Sequence, residues 1–149
     1  MIAIGCDHGA FALKEKLKEH LTARGLEYKD LGTYSLDSCD YPDFGAAAAK
    51  AVAEGKCEKG IVVCTSGIGI SIAANKIKGI RAAHVESVYD AKYTRLHNDA
   101  NILCLGARVI GEGLAIELVD IFLDTEAEGG RHAARVDMIR EIEAGTYNV

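Results

Sequence analysis

Apolar residues in this chain fall into short unbroken runs separated by longer stretches of helical periodicity. Ile2–Gly5 is one such run, as expected of a strand buried on both faces. Phe11, Leu13, Leu17 and Leu21 then recur at near-helical spacing, and Gly25 is placed to end that helix. Leu26–Leu31 predicts a second strand, stopped by Gly32. Thr33–Asp43 carries Ser, Asp, Cys and the only proline, which predicts a loop. The alanine-rich stretch Phe44–Glu54 predicts a helix closed by Gly55. Gly60–Cys64 (GIVVC) is the clearest buried strand; a glycine-rich turn follows, then the helical SIAANK. Ile80–Val85 predicts a fourth strand, and Ser87 suits the cap of a helix running to about His97. Ile102–Leu105 predicts a fifth strand, ending in GAR. Gly111–Leu123 predicts another helix. After EGG, a last helix runs from about Arg131 to Glu143, with Val136, Ile139 and Ile142 as its apolar side.

Strands without polar alternation, interleaved with helices, imply an α/β fold with a five-stranded parallel sheet covered on both faces. The pattern shows no repeat and no linker, so one domain is expected over residues 1–149. Ligands in such sheets bind outside the carboxyl ends of the strands. That rule selects CDHG after the first strand, CTSGIG after the third and GAR after the fifth.

At the first place Asp7 and His8 can move protons near neutral pH, and they precede a helix N-terminus, which favours an anion. Equally, Asp7 can cap that helix and His8 can lie at the surface. At the second place Cys64 runs into Thr65, Ser66, Gly67, Ile68 and Gly69. The glycines let backbone N–H groups approach an oxyanion, and a cysteine there has its thiolate favoured, as a base or nucleophile requires. The plainer reading is a buried cysteine before a tight turn. The turn matches neither a dinucleotide fingerprint nor a Walker loop. His97 and Asn98 end the fourth predicted helix, where a histidine can simply face the helix dipole. Arg108 follows the fifth strand. Arg131 and Arg135 stand i, i+4 on one side of the last helix, suited to a phosphate or to plain solvation. His20, His84 and His132 are read as peripheral.

Charge and cysteine usage narrow the class. With 17 basic and 22 acidic side chains the net charge is −5, so no global field invites nucleic acid. No apolar run approaches a membrane span, and MIAIGCDHG lacks the regions of a signal peptide. The 5 cysteines include no CxxC pair, which predicts reduced thiols in a cytoplasmic chain rather than disulfides or a zinc site. No metal or cofactor is expected. An aspartate at the end of the third strand and a lysine after the fifth, as a phosphoacceptor receiver needs, are missing. The set points to an anionic substrate and to proton transfer.

GCDHGAFALK, DYPDF, VVCTSGIGISIAANKIKGIRAA, RLHNDANILCLGARVIG and EGGRHAARV, in this order, closely resemble the ribose-5-phosphate isomerase B family, which also holds galactose-6-phosphate isomerase subunits. The resemblance runs from Ile2 to about Glu143. It implies a three-layer Rossmann-like sandwich and metal-free interconversion of an aldose phosphate and a ketose phosphate. It also implies a homodimer, or a tetramer, whose active sites are shared between subunits. Carried over by residue, it implies Cys64 as the base between C1 and C2. His97 would open the sugar ring, with Asp7 nearby. His8, Arg108, Arg131 and Arg135 would bind phosphate. Ser66, Gly67, Ile68 and Gly69, with Asn98, would hold the enediolate, and Tyr41 would line the sugar pocket. Many members with this cysteine read C-G-T-G where this chain has Cys64-Thr65-Ser66-Gly67. That departure leaves open ribose 5-phosphate or a six-carbon sugar such as allose or its 6-phosphate. A non-catalytic sugar-phosphate sensor is the alternative from another class.

Overall fold

Strand β1 (Ile2–Cys6) is buried at every position, as its unbroken apolar run requires. A 3-10 turn (His8–Ala10) leads into helix α1 (Phe11–Ala23). Then come β2 (Tyr28–Asp30), α2 (Tyr41–Ala53), β3 (Lys59–Cys64), α3 (Ile68–Ala74) and β4 (Ala82–His84). The chain ends with α4 (Val88–Asn98), β5 (Ile102–Gly106), α5 (Glu112–Asp124) and α6 (Arg131–Ala144). The computed structural model describes residues 1–148.

The five strands are all parallel, in the order β2-β1-β3-β5-β4. Right-handed crossovers then require α1 and α4 on one face and α2 and α3 on the other, and α5 packs beside α1 and α4. The two cores agree. Leu13, Leu17, Leu21, Leu118 and Phe122 pack with Ile4 and Leu103 on one side. Ala48, Ala49, Val52 and Ile70 pack with Ala3, Val62 and Ile102 on the other. The fold is thus the expected three-layer, Rossmann-like α/β sandwich. The alanines of α2 let it approach closely, and a Cβ at Gly45 would lie 2.9 Å from Ile70 Cγ1.

The structure departs from the sequence pattern in four places. β2 and β4 shrink to three residues each. Both are edge strands, hydrogen-bonded on one side only. α2 starts at Tyr41, earlier than predicted, because Pro42 in the first turn has no N–H to leave unpaired. Tyr41 therefore sits on a helix and not in a loop. α3 starts at Ile68 and has only seven residues. On α6, Val136 is buried but Ile139 and Ile142 remain exposed. No helix of the described residues is long and apolar enough to cross a membrane.

A sequence-distant ion pair fixes the end of β2. Lys14, fully buried in α1, donates to Asp30 Oδ1 at 2.7 Å, to Asp30 Oδ2 at 2.8 Å and to the Thr33 carbonyl at 2.7 Å. Gly32 O and Thr33 N in turn bond the backbone of Cys6, both at 2.6 Å. The segment after β2 is thereby clamped to the end of β1.

Candidate active site

The carboxyl ends of β1, β3 and β5 are adjacent in the sheet, so the three stretches selected from sequence meet. β1 is also where the chain reverses its direction across the sheet, with β2 on one side and β3 on the other. Asp7 is buried, and its carboxylate accepts from Gly9 N–H at 3.0 Å, so the capping reading of Asp7 is realised. His8 is half-buried, not at the surface. Its Nδ1 accepts from the backbone N–H of Cys39 at 3.1 Å. That bond makes Nδ1 the acceptor and leaves Nε2–H as the donor of the neutral ring.

Cys64 closes β3 with its side chain buried. Gly67 N–H donates to Cys64 Sγ at 3.1 Å. Gly67 lies at φ +79, which only glycine adopts freely. Neighbouring glycines give the turn its room. Thr65 Oγ1 occupies the space where a Cβ of Gly9 would stand, which locks the first stretch to the second. A Cβ at Gly106 would lie 2.7 Å from the Ser66 carbonyl carbon, so the turn rests directly on β5. Ala107 N–H and Arg108 N–H bond the carbonyls of Cys64 and Thr65 at 2.9 and 3.0 Å. Arg108, exposed, is thereby tied beside the turn. Tyr41 covers Gly69, with its ring 2.7 Å from where a Cβ would be.

The turn is less open than the sequence implies. Gly67 N–H is engaged by sulfur, and Ile68 N–H donates to Ser66 Oγ at 3.2 Å. Ser66 N–H has no partner among the described residues and is one of the donors free for an oxyanion.

Two of the remaining thiols on the strands are held away from reaction. Burial pushes Cys6 up to about 12 and raises Cys104 as well. Cys64 is set apart by the backbone donor on its sulfur.

The other predicted residues gather elsewhere. His97 stacks face to face on His132, with ring centroids 3.9 Å apart and planes 6° from parallel. Tyr93 meets His97 edge-on at 4.9 Å, and Tyr89 lies 4.2 Å from Tyr93. Arg131 and Arg135 are exposed on α6 beside this column. Asn98 lines a groove of about 240 Å³ with Ala83, His84, Asp90 and Thr94. Among the described residues no hydrogen bond or ring contact joins His97, Asn98, Arg131 or Arg135 to the Cys64 turn. The candidate residues of one chain therefore fall into two separate groups.

His97, Glu128 and His132 place candidate ligand atoms within 4.8 Å of one another. An imidazole nitrogen offers its lone pair in the ring plane, and no point lies in the plane of both parallel rings. The trio favours stacking over holding an ion.

Residues 2–139 match the sequence profile described as Ribose/Galactose Isomerase. The chain is 49% identical over 142 residues to ribose-5-phosphate isomerase B of Escherichia coli (strain K12), covering 95% of each. It is 43% identical over 142 residues to a D-erythrulose-4-phosphate isomerase of Pectobacterium atrosepticum, covering 93% of this chain and 91% of that one. Among solved structures, ribose-5-phosphate isomerase B of Clostridium thermocellum superposes with TM-score 0.95 at 53% identity, covering 97% of both chains. The chain belongs to the ribose/galactose isomerase family. Membership makes it an aldose–ketose isomerase acting on a sugar phosphate, and it removes the reading as a non-catalytic sensor.

Two histidines not singled out from the sequence lie against the candidate residues. His132 carries the stack on His97. His84 ends β4 and lies against the turn, with a Cβ at Gly67 falling 2.7 Å from its Cδ2. Its buried Nε2 makes no well-aligned hydrogen bond among the described residues, and Glu86 Oε1 lies 3.3 Å from it. The strand-end rule that selected three places applies to β4 as well and would have found it. Gly67→Ala therefore meets both a left-handed backbone and the His84 ring. It is expected to cost about 1–3 kcal/mol, read as a fall in Tm of on the order of 5 °C. An unchanged Tm would show that neither the left-handed backbone nor the contacts with His84 and the Leu105 backbone resist the added Cβ.

Proposed function

We propose that the protein interconverts D-ribose 5-phosphate and D-ribulose 5-phosphate through an enediolate. The observation that carries this reading is the Cys64 sulfur at a strand end, under the Gly67 N–H at 3.1 Å and against the Asp7–Gly9 turn. His97 opens the furanose by giving a proton to the ring oxygen as the C1–O4 bond breaks, with Asp7 nearby to take the hydroxyl proton. Cys64, as thiolate, removes the C2 proton of the open aldose. The electron pair moves into the C1–C2 bond and the carbonyl oxygen becomes anionic. The hydroxyl proton on O2 then passes to O1, and return of the proton from Cys64 to C1 closes the C2 carbonyl and gives the ketose. Ser66 N–H, Ser66 Oγ and Asn98 are the donors for the developing oxyanion, each such donor contributing about 3–4 kcal/mol when preorganised. Gly67, Ile68 and Gly69 shape the turn, and Tyr41 lines the pocket. His8, Arg108, Arg131 and Arg135 bind the phosphate, whose distance from C1 and C2 lets its binding energy position the reacting carbons. The reading assigns no metal or cofactor.

The two groups support a homodimer in which the α4–α6 residues of one subunit face the Cys64 turn of the other. Ile68 and Ile72 on α3 and Ile139 and Ile142 on α6 are exposed apolar groups available to such an interface.

The six-carbon alternative loses one of its two supports. The Thr65 side chain packs into the space left by Gly9, so its bulk is absorbed there. Only the methyl missing at Ser66 still favours a larger sugar, and one methylene-sized difference changes selectivity by about 10–200-fold.

Proton NMR in D2O on EDTA-treated protein tests the reading. Ribose 5-phosphate is expected to give ribulose 5-phosphate with deuterium at C1, at higher kcat/KM than allose 6-phosphate or allose. Faster turnover of either hexose would reassign the substrate. Loss of turnover with EDTA, restored by a metal, would overturn the assignment of both proton transfers to side chains.

A further inference from the structure

The column of rings on α4 needs an explanation that the proton-transfer scheme does not supply. Tyr89, Tyr93 and His97 are spaced i, i+4, i+8, so they share one face of α4. His132, the second residue of α6, closes the column with a parallel stack at 3.9 Å. Three contacts fix this closure. Arg95, buried in α4, donates from Nε to the Thr125 carbonyl at 3.1 Å. Glu128 N–H bonds the Leu96 carbonyl at 2.9 Å. Glu128 Oε2 lies 3.4 Å from His132 Nε2. The α5–α6 connection is thus tied to the last turn of α4, and His132 is delivered onto His97 from a remote part of the chain. His132 is buried while His97 is half-exposed, so the inner ring is the support and the outer ring the working face.

Resting on the reading of His97 given above, we propose that His132 is its positioning residue: the stack fixes the plane of the His97 ring so that one nitrogen meets the sugar ring oxygen. Burial, followed by the charges of His97, Arg131 and Arg135, holds His132 below the usual histidine range, against the pull of Glu128. A neutral His132 can stack under a protonated His97, whereas two imidazolium rings at that separation repel.

The chemistry separates this role from a merely structural one. Ribose 5-phosphate is ring-closed in solution and must be opened. Ribulose 5-phosphate carries its phosphate on the oxygen that would close a furanose, so it enters the enediolate step already open. Ring opening needs His97; exchange of the C1 proton of the ketose needs Cys64.

The experiment compares wild type, His97→Asn, His132→Ala and His132→Phe in two assays: turnover of ribose 5-phosphate, and C1 deuterium exchange into ribulose 5-phosphate in D2O. His132→Ala is expected to lower ribose 5-phosphate turnover on the order of 100-fold, through kcat, with exchange changed by less than about 3-fold. His132→Phe, which keeps an uncharged plate under His97, is expected to recover most of that loss. Equal loss in both assays, or failure of Phe to outperform Ala, overturns the proposal by making His132 a structural residue. Unchanged turnover in His132→Ala overturns it directly. Should His97→Asn itself open the sugar normally, the role of His97 falls and this proposal with it. A wild type inert toward both sugars would instead sink the functional reading as a whole.

Discussion

Cys64→Ala is expected to abolish isomerisation, with turnover falling on the order of 1,000-fold or more, and to stop deuterium uptake at C1 of ribulose 5-phosphate. The residue has no other visible task. Its sulfur touches one polar partner, Gly67 N–H, and the side chain is buried beneath the turn. Sugar-phosphate binding is expected to survive, because the groups proposed for the phosphate, His8, Arg108, Arg131 and Arg135, make no hydrogen bond to the sulfur. Cys64→Ser sharpens the result. It keeps a hydrogen-bond acceptor of similar shape, but a hydroxyl is far harder to ionise than a thiol, so it too is expected to be inactive. Isothermal titration with a substrate-sized phosphate ligand and exchange measured by NMR together check the claim. Exchange retained in both variants would remove Cys64 as the base. Loss of ligand binding along with activity would make the cysteine a structural support of the turn.

How far the sequence reaches depends on whether a residue's partners are near it along the chain or follow a general rule. The strand ends were legible because parallel α/β sheets place ligands there, and Asp7, Cys64 and Arg108 do lie side by side. Ser87 capping α4, at 3.1 Å from Asp90 N–H, was legible because caps are local. The length of β4 was not, since an edge strand ends where its single neighbour stops pairing. Tyr41 was misplaced because proline suggests a loop but is equally at home in a first helical turn. His132 was missed because its stack joins α4 to α6 across residues 97 and 132, and nothing local announces it. Tyr89, Tyr93 and His97 did carry a signal, an aromatic at every fourth position. Lys14 carried one too. It lies three residues before Leu17 and seven before Leu21, on the inward stripe of α1, where a lysine demands a buried partner.

That partner makes Asp30→Asn the largest expected effect on stability. The substitution leaves the Lys14 ammonium, fully buried, with only Glu15 at 3.6 Å as a counter-charge, and Lys18 loses Asp30 at 2.7 Å while keeping Glu15 at 2.8 Å. Breaking one side of a buried pair costs about 3–5 kcal/mol, so Tm is expected to fall by about 10 °C. Lys14→Met should cost less. It removes the buried charge, and Lys18 still neutralises Asp30, although the Thr33 carbonyl loses a donor. The pH dependence follows from the carboxylate. Burial alone would raise Asp30; hydrogen bonds from Lys14, Lys18 and the Gly32 N–H outweigh it and hold the group below the usual carboxylate range. Since the folded state binds the proton less readily than the unfolded chain, this stability is fully present above a pH of about 4. It is lost as pH falls through the folded value. The gap in Tm between wild type and Asp30→Asn is therefore expected to be constant near neutrality and to narrow in acid, a trend that thermal unfolding from pH 7 to pH 3 would reveal. A gap that stays constant into acid would show that Asp30 acts through shape and hydrogen bonding, not charge. Lys14 also holds the Thr33 carbonyl, and Thr33 N–H bonds the Cys6 carbonyl, so the pair supports the first strand end next to Asp7 as well.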